Sequence, residues 1–102
     1  MDGVKIFWTQ TAIKQRNSIF EYWNKNNRSK SYSAKLNLMI KERLLHLSEN
    51  IHIGKPTVIE NVRTISLGHF SIVYQIVTDS IFIIGFWDNR QNPNVLLSKL
   101  KK

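Results

Sequence analysis

Four side chains of this sequence have the chemistry needed to cleave a phosphodiester bond. Arg63, Arg90 and Lys55 are cations that could hold the negative charge of a phosphorane. His69 carries an imidazole, the group that most often transfers protons near neutral pH. Attack by an RNA 2′-hydroxyl requires a base, an acid and such cations together. These four residues are therefore the catalytic candidates of the chain.

Each candidate also has a structural interpretation. Arg63 could form a salt bridge with Glu60 or Asp88, and Arg90 could pair with Asp88 across a turn. A loop lysine such as Lys55 is usually just solvated. A single histidine in a hairpin turn usually makes hydrogen bonds at the surface. Residue type alone leaves both interpretations open.

Four residues near the ends of predicted strands are candidates for contact with a partner macromolecule: Arg63, Ser71, Trp87 and Arg90. Trp87 ends an apolar run, where its indole could stack on a base or anchor a peptide side chain. Packing within the domain is the alternative for so large a ring.

Several kinds of site are excluded by what the sequence lacks. Cysteine is absent, so disulfides, thiolate zinc sites and cysteine nucleophiles cannot form. The histidines at His46, His52 and His69 do not have the spacing of metal ligands. The four glycines are scattered rather than gathered in a phosphate-binding loop. We expect no metal and no cofactor.

The composition is that of one ordinary globular domain with a large positive charge. The 102 residues are 42% hydrophobic and 22% charged, which is enough for a single core over residues 1–102. Fifteen Lys and Arg against seven Asp and Glu give a formal charge of +8 and a pI of about 10.1. This balance favours association with RNA, DNA, a ribosome or an acidic protein segment, the alternative being a charged surface that only aids solubility.

Neither an export signal nor a membrane span is recognisable. The N-terminus, Met1-Asp2-Gly3, does not begin a basic patch followed by an apolar stretch. The longest apolar run, Ile81 to Trp87, is too short to cross a bilayer. We expect the protein to act in the cytoplasm without membrane contact.

Hydrophobic spacing and turn residues predict two helices and four strands. The predicted elements are a strand at 4–8, a helix from its cap at Thr9 to an asparagine-rich loop at 24–27, a helix at 31–48, and strands at 58–65, 70–77 and 81–87. A basic-tipped loop is predicted at 49–56, and a short helix or turn at 92–100. The order β-α-α-β-β-β predicts a two-layer α+β fold, in which a helical hairpin covers one face of a mostly antiparallel sheet.

The periodicity of the second helix predicts which of its side chains reach the core. Its apolar face consists of Leu36, Met39, Ile40, Leu44 and Leu47. Leu38 and Leu45 lie off that face, and we expect them to be additional core, the alternative being an exposed apolar seam. Tyr74 has the strand parity of Phe70 and Ile72, so we expect a core ring whose hydroxyl finds a partner.

A series of short motifs runs through nearly the whole chain in an order that resembles the RelE/ParE toxin superfamily. The motifs are Trp8-Thr9-(x)2-Ala12, Tyr22-Trp23, a second helix closing at Leu47, Ile53-Gly54-Lys55-Pro56, Arg63, the segment from Gly68 to Tyr74, and the segment from Trp87 to Pro93. The resemblance implies a bacterial protein that inhibits growth when free. It also implies a partner, a cognate antitoxin that neutralises the toxin by covering its surface.

Two alternative targets are implied by the same resemblance. RelE-like members cleave mRNA on the ribosome with side chains on the open sheet face, whereas ParE-like members poison DNA gyrase. In many ribonuclease members an Arg stands where this chain has Ser71, and a His-Tyr or similar pair stands where it has Trp87-Asp88. We therefore expect a ParE-like gyrase poison. The alternative is a ribosome-dependent endoribonuclease that uses the four catalytic candidates.

Both hypotheses place a cationic surface on the side of the sheet away from the helices. Arg63 and Arg90 are expected to project from it. Charge reversal at either residue should then abolish toxicity with little change in stability, because exposed charges contribute little to folding.

Overall fold

Two helices and five strands make up residues 4–27 and 30–89, the part of the chain that the computed structural model describes. In chain order they are β1 (Lys5–Trp8), α1 (Gln10–Asn27), α2 (Ser31–Glu49), β2 (Lys55–Pro56), β3 (Val62–Leu67), β4 (Phe70–Val77) and β5 (Ser80–Asp88). The α+β class and the helical hairpin are confirmed, with one strand more than predicted. Arg90 and the predicted segment at 92–100 lie outside the described residues. Within residues 4–27 and 30–89, no helix is long and apolar enough to span a membrane.

All five strands belong to one sheet, in the order β1-β5-β4-β3-β2. β1 and β5 are parallel, with Lys5 opposite Ser80, and the other neighbouring strands are antiparallel. Gly68 and His69 form the tight turn between β3 and β4, where Gly68 adopts a φ of 61°. A bulge at Ile84 shifts the register between β4 and β5, so the alternation of side chains along β5 reverses there.

The segment between α2 and β3 departs from the prediction. Lys55–Pro56 pair with β3 as a short strand instead of lying in a loop, and β3 begins at Val62 rather than at residue 58. Asn61 adopts a left-handed φ of 64°, which asparagine tolerates better than most residues. The Thr57 N–H and hydroxyl donate to the Val62 carbonyl at 3.1 and 2.9 Å. A tight turn therefore uses residues that the pattern assigned to a strand.

The start of α1 is fixed by contacts to β5. The Thr9 hydroxyl oxygen accepts the Ala12 N–H at 3.2 Å, which confirms Thr9 as the N-cap, and the same hydroxyl donates to the Ile83 carbonyl at 2.9 Å. β1 ends at Trp8, so β5 continues beyond its parallel partner. There the Gln15 side chain accepts the Phe86 N–H at 2.9 Å, because no β1 carbonyl is present to do so.

The face of the sheet toward the helices carries the main core. Its buried members are Ala12, Leu36, Ile40 and Leu47 from the helices and Ile65, Leu67, Phe70, Ile72, Tyr74, Ile81, Ile83 and Phe86 from the strands. Tyr74 is fully buried, as predicted. Leu38 and Leu45 are not additional core, since each is 61% exposed. Both side chains point away from the Leu36 and Ile40 side of α2, because successive helix residues are rotated by about 100°.

The opposite side of the sheet, here called the open face, has its own smaller apolar cluster. Val62, Val73 and Trp87 are buried there, and Ile59 and Ile84 pack against them. Strand alternation explains this second cluster, since these residues lie between those that face the helices.

Among the described residues, positive charge is concentrated on the helical hairpin and not on the open face, contrary to the expectation of a cationic sheet surface. On the open face, strand alternation places Lys5 and Lys55 on the two outer strands, and the described side chains between them are uncharged. The described residues from 10 to 49 carry seven cations and three carboxylates. They are Lys14, Arg16, Lys25, Lys30, Lys35, Lys41 and Arg43 against Glu21, Glu42 and Glu49.

Candidate functional site

The candidate residues are divided between two ends of the sheet. Lys55 and Arg63 lie in β2 and near the start of β3. His69 is in the turn at the far end of β3, and Ser71 and Trp87 face each other across β4 and β5 beside that turn. The described candidates are thus not brought together at one point, although each end could contact a partner separately.

Arg63 holds the chain between α2 and β2 against the sheet. Its Nη1 group donates to the Gly54 carbonyl at 2.7 Å and to the His52 carbonyl at 3.3 Å. Strand alternation puts Arg63 on the side of β3 that faces the helices, whereas Lys55 follows the parity of the open face. The two neighbouring cations therefore point to opposite sides of the sheet. These bonds use donors that would otherwise contact a phosphate.

Substitution of Arg63 should cost stability, which revises the expectation that charge reversal there would leave stability unchanged. We expect Arg63→Ala to lower the free energy of unfolding by about 1–2 kcal/mol, since bonds from a charged donor contribute about 1.5–3 kcal/mol when buried and less when partly exposed. Arg63→Lys should recover only part of this, because an ammonium group lacks the fork of donors. Urea unfolding of the three proteins gives the measurement. An Arg63→Ala protein as stable as the parent would show that these bonds are not stabilising.

Tyr74 also holds the loop between α2 and β2 against the sheet. Its hydroxyl donates to the Ile51 carbonyl at 2.9 Å and accepts the Gly54 N–H at 2.9 Å. Burial raises the pKa of the Tyr74 phenol above its ordinary value of 10.0, against smaller opposing effects of the Gly54 N–H and the Arg63 charge. The phenol thus stays neutral and serves as both donor and acceptor, which agrees with the predicted core role of this ring.

The raised pKa of Tyr74 predicts a specific loss of stability in alkali. A neutral phenol is favoured in the folded state, so its contribution is complete below pH 10.0 and is lost as the pH rises toward the higher folded pKa. We expect Tyr74→Phe to be less stable than the parent by about 1–3 kcal/mol at pH 8, because two loop groups lose their partner. The difference should shrink above pH 10.0. Denaturant unfolding of both proteins from pH 8 to 11 tests this, and a constant difference would contradict it.

At the other end of the sheet, Ser71 is engaged with a residue that the sequence analysis did not single out. The Ser71 hydroxyl donates to the Asn89 side-chain oxygen. The Asn89 amide donates to the Phe70 carbonyl at 3.3 Å, and the Asn89 N–H donates to the His69 carbonyl at 2.8 Å. Asn89 therefore joins the β3–β4 turn to the end of β5. The one feature of the sequence that could have identified Asn89 is its position directly after a strand.

The Trp87 ring is folded against the sheet. It is 6% exposed and packs with Val62 and Val73. Its Nε1 atom lies 2.8 Å from where a Cβ on Gly85 would stand, so the glycine makes room for the indole. The described chain thus uses this ring for packing, and a partner would reach only its margin.

Exposed aromatic surface on the open face lies instead at the β1 edge. Phe7 is 45% exposed and stacks on Phe82, with ring centres 5.3 Å apart. Register pairs the two residues directly across β1 and β5. Aromatic rings of this kind are enriched in protein interfaces.

The described residues show neither a group that could bind a metal nor a partner group that would make His69 part of a catalytic site. His69 is exposed in its turn. Residues 4–27 and 30–89 contain no group of three or more His, Asp or Glu side chains that could hold a metal ion.

A family model and a solved structure that match this chain agree with each other. The family model described as "ParE toxin of type II toxin-antitoxin system, parDE" matches residues 6–93. A solved structure, "Chromosomal ParDE TA system from P. aeruginosa", superposes with a TM-score of 0.71 at 21% identity, covering 83% of this chain and 95% of that chain. At 21% identity, this structural match shows that the two chains share a fold. Among curated proteins, none matches the sequence.

Proposed function

Because the chain belongs to the ParE toxin family of type II toxin–antitoxin systems, we propose that it inhibits bacterial growth by poisoning DNA gyrase. In this proposal a cognate antitoxin binds the toxin in the bacterial cytoplasm and keeps it inactive. The alternative target, mRNA on the ribosome, requires a nuclease site.

The observation that carries the choice of gyrase is the separation of the catalytic candidates that the structure describes, which are Lys55, Arg63 and His69. Cleavage by a 2′-hydroxyl needs an acid, a base and cations within hydrogen-bond reach of one phosphate. Here Arg63 donates to backbone carbonyls at one end of the sheet, while His69 lies in a turn at the other end. Ser71 stands where many ribonuclease members of the RelE/ParE superfamily carry an Arg, and its hydroxyl is bonded to Asn89. This arrangement favours a toxin that acts by binding.

A toxin that binds a protein target needs exposed surface suited to a protein. The Phe7 and Phe82 pair on the open face supplies stacked aromatic area next to the partly buried Ile84. Lys5 flanks it at the edge of the sheet. An apolar centre with a charged rim is typical of protein interfaces, whereas RNA binding would favour a continuous basic track.

Purified toxin added to gyrase and supercoiled plasmid provides the direct experiment. We expect double-strand breaks with gyrase subunits attached to the DNA ends, and intact transcripts in cells that express the toxin. Transcripts cut within codons, with no DNA breaks, would establish the ribonuclease instead. Absence of growth arrest would mean that the chain has lost toxicity and only binds its antitoxin.

A charge placed on the open face tests where the target binds. We expect Phe7→Asp to raise the toxin concentration needed for DNA breakage at least about tenfold, since a carboxylate would be desolvated against an apolar partner surface. Leu45→Asp is the control, because it adds the same charge at an exposed apolar position on α2, where Leu45 is 61% exposed against 45% for Phe7. Equal loss in both variants would indicate a general effect of charge and not a binding surface.

A further inference from the structure

The two edges of the five-stranded sheet differ in how well they are protected. β2 forms one edge with only Lys55 and Pro56, and proline has no N–H group to donate. β1 forms the other edge with the four residues Lys5–Trp8, none of which is proline. Natural sheets usually blunt or cover an edge strand, because its unpaired backbone groups accept further strands. The β1 edge is therefore the open one.

The direction of the unpaired backbone groups on β1 follows from its pairing with β5. The Thr9 N–H donates to the Ile83 carbonyl at 3.0 Å. Backbone groups of alternate strand residues point the same way, so those of Phe7 also face β5, and those of Ile6 and Trp8 face outward. Among the described residues, β5 is the only strand beside β1. The β1 edge thus offers outward N–H and carbonyl groups along about 13 Å of strand.

The side chains around the β1 edge are apolar or positively charged. Lys5 and Phe7 project on the open face, where both are exposed. On the other face the Arg16 guanidinium lies over the Trp8 ring, with its Cζ atom 4.7 Å from the ring centre. The strand β1 itself contains neither Asp nor Glu. A strand that pairs with β1 would therefore be flanked by cations on both faces of the sheet.

We propose that the β1 edge binds an extended, acidic segment of the toxin's protein target, which adds a strand to the sheet. The segment exchanges backbone hydrogen bonds with Ile6 and Trp8 and places an apolar side chain beside Phe7. Its carboxylates face the two cations, Lys5 and Arg16. This inference rests on the proposed function, and it adds the conformation and the charge of the target segment.

Charge selects this occupant over a second copy of the chain. Two β1 strands paired edge to edge would bring both copies of Lys5 and Arg16 together, with a formal charge of +8 on each chain. Lysine on an edge strand protects a sheet from such self-pairing. Nucleic acid has no peptide groups to continue the ladder of hydrogen bonds. An acidic peptide strand matches both the backbone groups and the charges of the β1 edge.

Methylation of a single backbone nitrogen tests the β1 edge without altering any side chain. Ile6 is the position to modify, because a methyl group on its outward nitrogen blocks an added strand and leaves the bonds to β5 in place. The sequence has no cysteine, so a synthetic segment 1–11 can be ligated to residues 12–102 through a temporary cysteine that is then desulfurised to Ala12. The matched control is N-methylation of Gln10, the first residue of α1, whose N–H has no partner in its helix.

The readout is the toxin concentration needed for gyrase-dependent DNA breakage. We expect N-methylation of Ile6 to raise this concentration at least about tenfold. The same change at Gln10 should alter it by less than about twofold. Lys5→Glu should raise it at least about fivefold, whereas Lys41→Glu, at an exposed lysine of α2, should have little effect. Circular dichroism spectra like that of the parent would show that every variant is folded.

The outcomes separate this inference from the function on which it rests. Undiminished DNA breakage by the Ile6 variant, or equal losses for Ile6 and Gln10, would overturn the added strand while leaving gyrase poisoning intact. Loss of binding to the purified cognate antitoxin, with breakage preserved, would assign the edge to the antitoxin instead. A parent dimer in sedimentation that the Ile6 methyl group dissociates would assign it to a second copy. Failure of the parent to cause breaks would overturn both proposals.

Discussion

Replacing Leu36 by alanine should lower the free energy of unfolding by about 2–5 kcal/mol, whereas Leu38→Ala should change it by less than about 0.5 kcal/mol. The two leucines lie two positions apart on α2, yet Leu36 is 2% exposed and Leu38 is 61% exposed. Truncation of Leu36 removes buried apolar area and leaves a cavity against the sheet. Truncation of Leu38 removes surface that water already contacts.

Chemical denaturation of the two variants gives a comparison in which most other effects cancel. Both changes exchange the same residue types within one helix, so the gain in helix propensity is the same. The difference between them therefore measures burial. Similar losses for Leu36→Ala and Leu38→Ala would mean that α2 is rotated from the orientation described here, or that its outer face is covered in solution.

Gly54→Ala should lower the free energy of unfolding by about 3 kcal/mol, because a methyl group there overpacks a filled site and breaks a hydrogen bond. A Cβ at Gly54 would stand 2.5 Å from the Tyr74 hydroxyl oxygen and 2.8 Å from the Thr64 carbonyl oxygen. Neither can withdraw easily, since Tyr74 is fully buried and Thr64 is part of the β3 backbone. The loop between α2 and β2 would have to lift from the sheet.

A second glycine serves as the control for this effect. Gly68 has a φ of 61°, and a Cβ there would meet no atom within 4 Å. Gly68→Ala should therefore cost only the backbone term of about 1–2 kcal/mol. Thermal unfolding of both variants gives the ranking, and a Gly54→Ala protein more stable than Gly68→Ala would contradict the close packing of Tyr74 against the loop. Partial recovery of Gly54→Ala by Tyr74→Phe is also expected.

Elements with strong periodicity could be predicted from the sequence. The face of α2 followed from the spacing of Leu36 and Ile40, and the cap at Thr9 followed from its place before an apolar stripe. The prediction that Leu38 and Leu45 belong to the core was wrong. Hydrophobicity alone does not show which side of a helix packs against another element and which side faces solvent. The asparagine-rich end of α1 is helical, with Asn26 donating to the Tyr22 carbonyl at 2.7 Å. That asparagine supports the helix it was expected to end.

Placement of the candidate site depended on information that no local pattern contains. The face of the sheet that Arg63 occupies depends on the residue at which β3 begins and on its register with β4. β3 begins after a turn at Asn61, and the sequence pattern had predicted a strand through that turn. The partners of Arg63 are backbone carbonyls, which are present at every residue and give no sequence signal. Ser71 and Trp87 were correctly placed near strand ends. Their roles toward a partner, and that of Arg90, remain predictions.

The parallel pairing of β1 with β5 has a consequence for how the protein is made. Lys5 lies opposite Ser80, so β1 cannot gain its neighbour until β5 has also left the ribosome. Contacts between residues so distant in the chain form late. During synthesis β1 therefore stays without this neighbour until β5 has been made, and only then does Phe7 gain the ring of Phe82 on which it stacks.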